Sequence, residues 1–376
     1  MGVFQVSYLQ RTEAQNVLFE RCFLKQRNTI YDIAQQAGVS AKTVSKVLNN
    51  KPGVGADTRQ RIQEIIESVG YHPHYGARTL RSHYSNCVGV TVVPPLEMVP
   101  LSGDFLLWLF AKLSEVFSVQ GAYLAFDMAP RQGETCAGDY GRGVWERLFD
   151  VCLIVGPLPV GDTVLPRIHA TGIPYLSLGR LDEFPEGSTS SVDFFEGAYK
   201  STHFLLERGH RRIALLSTFE GYQPGIDRVR GYQQALHDYN LPLDDTLVRY
   251  FNPGQHKLAE VVASLIGQPG VTGFVESSVS EDSRALRQAA SRIGRTFGPE
   301  LETVVWTYMK DAAVLPEAVA HLWAPVLEAA IEGIERLARW ASGDGEGPIN
   351  VLYKTTLTDA DHILAVRKPK RLFDLL

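Results

Sequence analysis

The sequence predicts a small all-α helix-turn-helix module at the N-terminus, followed by a larger α/β body built on doubly wound parallel sheets. Residues 28–81 contain two short helical patterns joined by an Ala-Gly-Val turn, then a third helix and a short basic segment. From residue 86 onward, short strands rich in Val, Ile and Leu alternate with amphipathic helices, which is the pattern of parallel sheets. A chain of 376 residues is also too long for one hydrophobic core.

Charge is divided unequally along the chain. Residues 1–86 carry eleven Lys and Arg side chains against six acids, a net charge of +5. The remaining residues carry 26 basic and 36 acidic side chains, a net charge of −10. This division fits a module that binds nucleic acid, joined to a body that does not.

Other features of the sequence bear on the compartment. The cysteines, Cys22, Cys87, Cys136 and Cys152, have no metal-binding or redox spacing, so we expect free thiols in a reducing compartment. No apolar run reaches the ~18 residues of a membrane span. Residues 1–27 lack the pattern of a signal peptide, and we expect a flexible extension or residues that precede the true start. These observations favour a cytoplasmic protein without a membrane partner.

Three helices are predicted in the N-terminal module, over residues 30–37, 41–49 and 56–69. Thr29 and Ser40 have the side chains that cap the first and second helices. Gly38 supplies the left-handed conformation of a tight turn between them. Gly55 precedes the third helix, which therefore begins with a weaker cap than Ser would give.

The second helix leaves a polar surface after its apolar residues turn inward. In a helix-turn-helix, the N-terminal residues of this helix meet base edges in the major groove. The outward residues are Ala41, Lys42, Ser45, Lys46 and Asn49. Any three-helix bundle has outward lysines, so the pattern alone leaves a purely structural module as an alternative.

The segments TIYDIAQQAGVSAKTVSKVLN and TRQRIQEIIESVGYHP closely resemble the headpiece of the lac-repressor family of bacterial transcription regulators. The resemblance implies a DNA-binding domain over 28–73, in which Ala41 and Lys42 hold the two main base-reading positions and Lys46 a third. Lys46 stands where the family usually has Arg, so a point charge replaces a bidentate fork. The DNA-binding residues implied are Thr29, Ser40, Ala41, Lys42, Thr43, Ser45, Lys46 and Asn49.

Residues 74–85 follow as a hinge in this resemblance, although the sequence alone is equally that of a solvated linker. The segment HYGARTLR would become a short helix when two subunits occupy an operator. Leu80 would then wedge into the minor groove and kink the duplex, and Ala77 would contact the groove floor.

The body over 86–376 has further predicted elements, and ligands of such sheets bind beyond the carboxyl ends of the strands. Strands are predicted over 87–94, 122–129, 151–157, 174–180 and 211–217, and helices over 105–117, 197–208 and 228–239. The segments VDFFEGAYKSTHFLLERGHRRIALLS and DRVRGYQQAL again resemble the lac-repressor family.

The body of that family resembles periplasmic sugar-binding proteins, with two α/β lobes, three crossings between them and ligand in the cleft. The resemblance implies an N-lobe of about 86–190 plus 323–345. The C-lobe would then cover about 191–322 plus 346–376.

The same resemblance implies an effector site in the cleft. Arg228 aligns with an arginine that hydrogen-bonds the effector, although a solvated arginine at a helix start is the ordinary alternative. Phe251 lies near an aromatic position that stacks on a sugar. Phe105 and Asp104 fall at the cleft edge. For these three residues, core or surface roles are the alternatives.

Two departures from the family pattern affect this site. Glu276-Ser277-Ser278 stands where the family has an Asn-Asp pair, and Trp306-Thr307-Tyr308 stands where it has Gly, an aromatic residue and Asp. Ser278 and Tyr308 thus replace acids that grip sugar hydroxyls. Either the ligand is more apolar or anionic than a sugar, or the sensor is degenerate.

The sequence contains no nucleophile elbow, phosphate-binding loop or metal-ligand spacing, so we expect neither an enzyme nor a cofactor or metal. An exported solute-binding protein would lack residues 28–81. We expect a homodimeric or tetrameric repressor that binds a near-palindromic DNA operator under control of a small molecule, a sugar or related metabolite. The alternative is a regulator whose body serves only for dimerisation.

Overall fold

The computed structural model describes residues 28–72, 84–93, 103–118, 121–128, 139–218, 220–251, 257–278, 283–308, 315 and 317–359. The chain forms two compact units, Met1–Tyr84 and Ser85–Leu376. The expected extension over 1–27 lies outside the described residues, as do Ala77 and Leu80 of the expected hinge. Within the described part of the chain, no helix is long and apolar enough to cross a membrane.

The first unit contains the three expected helices, α1 (Ile30–Ala37), α2 (Ala41–Leu48) and α3 (Ala56–Val69). Each helix contributes one fully buried aliphatic side chain to a common core, namely Ile33, Val44 and Ile62. Gly38 joins α1 to α2 with φ 65°, a left-handed conformation that costs glycine little. The helix-turn-helix prediction is confirmed.

In these helices, one predicted end differs from the structure and one predicted cap agrees with it. The helix α2 ends at Leu48, one residue early, because Asn49 has left the helical conformation at φ −98° and ψ 13°. Gly55 makes no side-chain cap for α3, as its lack of a side chain predicts.

Strands and helices alternate through most of the second unit. Its strands are β1 (Cys87–Val92), β2 (Tyr123–Met128), β3 (Val151–Val155), β4 (Tyr175–Leu178), β5 (Thr189–Val192), β6 (Ile213–Ser217), β7 (Val248–Tyr250), β8 (Gly273–Glu276), β9 (Glu302–Thr307), β10 (Ala320–Trp323), β11 (Asn350–Tyr353) and β12 (Thr356–Asp359). Its α-helices are α4 (Gly103–Ser118), α5 (Arg142–Trp145), α6 (Val164–Ala170), α7 (Phe194–Glu207), α8 (Gln223–Asp238), α9 (Leu258–Ile266), α10 (Ser283–Arg292) and α11 (Val326–Ser342).

These strands form two six-stranded sheets, which define the two lobes of the body. The first has the order β11-β5-β4-β3-β1-β2 and is parallel throughout. The second has the order β12-β10-β9-β8-β6-β7, with only β10 and β12 antiparallel among its described pairs. Apolar clusters lie on both faces of each sheet. In the first lobe, α4 and α11 cover one face and α6 covers the other. In the second lobe, α7 and α8 cover one face, and α9 and α10 cover the other. The prediction of doubly wound parallel sheets is confirmed.

The lobe boundaries differ from the sequence expectation at two places. Strand β5 extends to Val192 in the first sheet, so the first crossing falls after residue 190. Strand β11 also pairs with β5, so the boundary expected at 345/346 is wrong and the last crossing lies between Tyr353 and Thr356. Strand β11 was missed because it is a short edge strand whose burial alternates, leaving Leu352 47% exposed.

Two helix starts also differ. The helix α7 begins at Phe194, three residues before Gly197, with Asp193 Oδ1 accepting a hydrogen bond from the Glu196 amide at 2.9 Å. The helix α8 begins at Gln223, five residues before Arg228. Pro224 suggests a break in the sequence, but in the first turn of a helix its missing N–H group has no partner to lose. Arg228 therefore lies in the second turn of α8, and the alternative of a solvated arginine at a helix start is wrong.

Candidate functional site

The surface of α2 is the candidate DNA-binding site of the first unit. The first turn of α2 carries no acidic residue, and Lys42 in that turn is exposed. Lys46 is half-buried one turn later, with its Nζ beside Gly53. The backbone N–H groups and positive dipole end at the start of α2 favour phosphate, so the lysines and the helix terminus act with the same sign.

Several of the expected DNA-binding residues also hold the module together. Thr29 and Asp32 form a reciprocal capping box at α1, and hydrogen bonds from Thr29 lower the pKa of Asp32. Ser40 Oγ accepts the Thr43 amide at 3.2 Å and lies 2.9 Å from Thr43 Oγ1. At the other end of α2, Asn49 Nδ2 donates to the Ser45 carbonyl at 2.7 Å. Ala41 is half-buried, so its contribution to a DNA surface would be close apolar contact.

One exposed aromatic residue on this module escaped the sequence reasoning. Tyr31, in the first turn of α1, is 74% exposed, although tyrosine in a core-facing helix is usually half-buried.

The candidate effector site is a cavity of about 100 Å³ between the two lobes of the second unit. The first lobe contributes the carboxyl ends of β3, β4 and β5, where ligands of parallel sheets bind. Phe105 of α4 and the first turn of α11 complete that side. The second lobe contributes Pro224 and Arg228 of α8 and Tyr308, the residue after β9.

Arg228 is fully buried in the wall of this cavity. Its Nη1 donates to the Pro224 carbonyl at 2.9 Å, and its Nη2 donates to Tyr308 Oη at 3.1 Å. Its Cζ lies 4.3 Å from the ring centroid of Phe194 and 5.2 Å from that of Trp306. These contacts fix the guanidinium plane, which lowers the entropy lost when a ligand binds to it.

Tyr308 connects the two segments that depart from the family pattern, because it belongs to one and hydrogen-bonds the other. Its hydroxyl accepts from Arg228 and donates to the Ser277 carbonyl at 2.9 Å. The phenol thus occupies the region where the resemblance places an acid. Ser278 is buried, but its amide and hydroxyl both donate to Glu276, and the cavity lining does not include it.

The aromatic wall beside Arg228 was not predicted from the sequence. Trp306 is buried and donates from Nε1 to Ser201 Oγ at 3.0 Å, while its ring stacks on Phe194 at 6.2 Å between centroids. Gly197 allows this approach, because a Cβ there would lie 2.7 Å from the Trp306 ring. The signal was present as two aromatic residues, one at the start of α7 and one in β9, but their distance in sequence concealed it.

The remaining predicted effector residues lie in different surroundings. Phe105 lines the cavity. Asp104 precedes it in α4, but its side chain lies outside the described part of the structure. Phe251 is buried in the core between the second sheet and α9, and it is not among the lining residues.

The rim of the cavity joins the lobes directly through charged residues. Arg180, after β4, contacts Asp227 of α8 at 2.7 Å, and Arg230 contacts Asp182 at 3.1 Å. Burial raises the pKa of Asp227, and Arg180 acts against that rise. A backbone hydrogen bond from Val160 N to Gly221 O, 3.0 Å long, adds a further link. Asp227 and Arg228 are consecutive, so one segment of α8 serves both the rim and the cavity wall.

Comparisons with known proteins agree with this arrangement. Residues 29–74 match the family model for bacterial regulatory proteins of the lacI family. The HTH-type transcriptional regulator RafR of Escherichia coli is 29% identical over 278 residues, covering 73% of this chain and 79% of the relative. CelR of Thermobifida fusca, also an HTH-type transcriptional regulator, is 29% identical over 236 residues, covering 60% of this chain and 66% of the relative.

Solved structures share the fold. The lac repressor dimer bound to operator and the anti-inducer ONPF has a TM-score of 0.63 at 20% identity, covering 89% of this chain and 98% of that chain. The CelR-cellobiose complex has a TM-score of 0.59 at 22% identity, covering 88% and 98%. The headpiece thus matches the lacI family model, the relatives include HTH-type transcriptional regulators, and the two-lobed body has the fold of the lac repressor, so the chain is similar to the DNA-binding bacterial regulatory proteins of the lacI family.

Proposed function

We propose that the protein is a homodimeric repressor that binds a near-palindromic operator and is controlled by a small metabolite in the inter-lobe cavity. The observation that carries the proposal is the meeting of Arg228 and Tyr308, 3.1 Å apart, in the wall of one cavity. Both stand at positions where the resemblance places effector contacts, although they are 80 residues apart in sequence.

The surface of α2 supports operator recognition. Ala41 and Lys42 lie in its first turn, and Lys46 lies one turn further on. In the proposed complex this turn enters the major groove, with Ser45 and Asn49 on the flank. A dimer places two such helices on two half-sites, which requires a near-palindromic operator.

An exposed apolar surface of the first lobe supports dimerisation. Strand β2 is the edge of its sheet, and Phe126 on it is 51% exposed. Phe110 of α4 packs edge-on against Phe126 at 4.7 Å, and Leu107 beside it is 66% exposed. Grouped apolar side chains of this kind mark protein interfaces.

The proposed coupling between effector and operator runs through residues 74–85. By resemblance, Ala77 and Leu80 contact the minor groove from hinge helices that form when the dimer is bound. A metabolite that favours one arrangement of the lobes would change the position of these hinges, with a coupling of about 1–3 kcal/mol.

Sugars are the first effector class to examine, because the CelR relative was solved with cellobiose. A body that only dimerises remains the competing hypothesis. The burial of Arg228 in the wall of a cavity between the lobes supports an effector over a body that only dimerises.

The experiment is a selection of operators from random duplex DNA with the full-length protein, followed by sedimentation of the complex. We expect a symmetric consensus bound by two chains. Leu80→Ala should lower operator affinity about tenfold or more without dissociating the dimer, as loss of a minor-groove wedge predicts. Leu243→Ala, an exposed leucine of the body, is the matched control. An asymmetric consensus bound by one chain would contradict the proposal.

A further inference from the structure

The cavity wall has an unusual composition for a site that binds a polyol. Sugar hydroxyls require several hydrogen-bonding groups, usually carboxylates or amides. Among the described lining residues there is no Asp, Glu, Asn or Gln. The apolar lining comes from Phe105, Val155, Pro157, Leu178, Val192 and Phe194, with smaller contributions from α11.

The polar side chains that do line the cavity already hydrogen-bond to the protein. Ser190 Oγ donates to the Ala329 carbonyl at 2.6 Å, and Ser191 Oγ donates to the Val192 carbonyl at 3.3 Å. The Tyr308 hydroxyl lies between Arg228 and the Ser277 carbonyl. A polyol would have to replace these bonds, and its remaining hydroxyls would be buried against apolar side chains at a cost.

Arg228 is the one charged residue in the described lining. Its guanidinium lies against the aromatic rings of Phe194 and Trp306, and two of its hydrogen bonds, to Pro224 and Tyr308, go to neutral oxygens. A guanidinium is a planar fork that matches a carboxylate in shape and charge. A ligand carboxylate can take over the position of the Tyr308 phenol as acceptor, with a stronger, charge-assisted hydrogen bond.

We infer that the effector is a small monocarboxylate with an apolar body. Its carboxylate binds Arg228, and its body lies against Phe105 and the carboxyl ends of β3 and β5. This inference rests on the proposed function and narrows its effector to one chemical class. The positive charge of Arg228 would select ligands with a carboxylate, and the apolar walls would select ligands with an apolar body.

The test is isothermal titration of the full-length protein with pairs of probes that differ only at the anionic group. The pairs are hexanoate with hexanamide and phenylacetate with phenylacetamide, and cellobiose and glucose represent neutral polyols. At least one carboxylate is expected to bind once per chain, at least tenfold more tightly than its amide, with the sugars weaker than either. Carboxylates that bind no better than their amides, or fail to bind at all, would overturn the inference.

Variants locate the preference in the cavity. Arg228→Gln should give the acid and its amide equal affinity, and Arg284→Gln, an exposed arginine of α10, should change neither. Because a change at a fully buried residue can impair folding, Tyr308→Phe is the second variant. It keeps the ring and removes the competing acceptor, so the preference for the acid should persist, and its loss would count against the inference.

The outcomes also separate the inference from the proposed function. If a sugar binds and changes operator affinity while the carboxylates do not, the inference is wrong and the effector-controlled repressor stands. If a carboxylate binds at Arg228 but leaves operator affinity unchanged, the ligand class is right and effector control is wrong.

Discussion

At the scale of single residues, Arg228 shows what a local pattern can and cannot predict. The segment DRVRGYQQAL marked Arg228 as a candidate effector contact, and the structure places it in the cavity wall. Its complete burial and its aromatic neighbours were not predictable, because Phe194 and Trp306 come from distant parts of the chain. Arg230, two residues later in the same sequence segment, is exposed. The face of α8 on which each arginine lies therefore decides whether it is buried.

Lys42 allows a test of base reading at the same scale. Lys42→Ala should lower affinity for the selected operator by about 1–3 kcal/mol, and affinity for random DNA by much less, because a base contact carries discrimination. Filter binding or fluorescence anisotropy at fixed salt measures both affinities. Lys51→Ala, an exposed lysine after α2, serves as control and should lower the two affinities equally. Equal losses for Lys42→Ala would remove it from base readout.

At the scale of elements, periodicity predicted the interiors of helices and strands better than their ends. The helices α1 and α3 have the predicted bounds because Thr29, Gly38 and Gly70 are local signals that need no tertiary information. The predicted start of α8 at Arg228 was five residues late, because Pro224 lies in the first turn of the helix, where its missing N–H group has no partner to lose. The edge strand β11 was missed because an edge strand buries only alternate residues.

The junction of α7 and β9 provides a pH-dependent test. Glu302 accepts hydrogen bonds from Arg208 Nε and Nη2 at 2.5 and 2.8 Å, and His210 Nε2 lies 2.9 Å away. The hydrogen bonds from Arg208 lower the pKa of Glu302 to about 2. Since the folded-state pKa lies below that of the unfolded chain, this contribution is complete above pH ~4.5 and is lost as pH falls towards 2.

Glu302→Gln should therefore lower the free energy of unfolding by up to about 3 kcal/mol at neutral pH, and by progressively less between pH ~4.5 and ~2. Urea unfolding of the body, followed by tryptophan fluorescence across this pH range, measures the difference. Glu300→Gln, two residues earlier and exposed, should leave the profile of the parent protein unchanged. A deficit for Glu302→Gln that does not depend on pH would show that the charge of Glu302 is not the cause.

At the scale of the whole molecule, the division of charge and of pattern predicted a small basic module and a larger α/β body. The chain does divide into two compact units after Tyr84. What the sequence could not supply is the contact between the lobes, since Arg180 and Asp227 are 47 residues apart and each has an ordinary sequence context. Such pairs depend on how two separately folded sheets meet.

The two lobes are joined at the cavity rim by the pairs Arg180–Asp227 and Arg230–Asp182. Asp227 has a side chain only 2% exposed, with Arg180 on one oxygen and Gln223 Nε2 at 2.9 Å on the other. Removing its charge should therefore destabilise the closed arrangement relative to an open one. Val160 provides the reporter, because its amide donates to Gly221 across the two lobes and should exchange with solvent when they separate.

Asp227→Asn is expected to accelerate hydrogen exchange of the Val160 amide about tenfold, equivalent to about 1.4 kcal/mol of lost closure, because the amide cannot replace the carboxylate opposite Arg180. Mass spectrometry of peptides that cover Val160 measures the rate, and peptides within β3 report whether the first lobe itself stays folded. Asp238→Asn is the matched control on the same helix, since Asp238 accepts from Tyr199 and Gln234 within the second lobe. The control should leave Val160 unaffected. If both variants exchange at the parental rate, the lobes are held by packing and the rim pairs contribute little to closure.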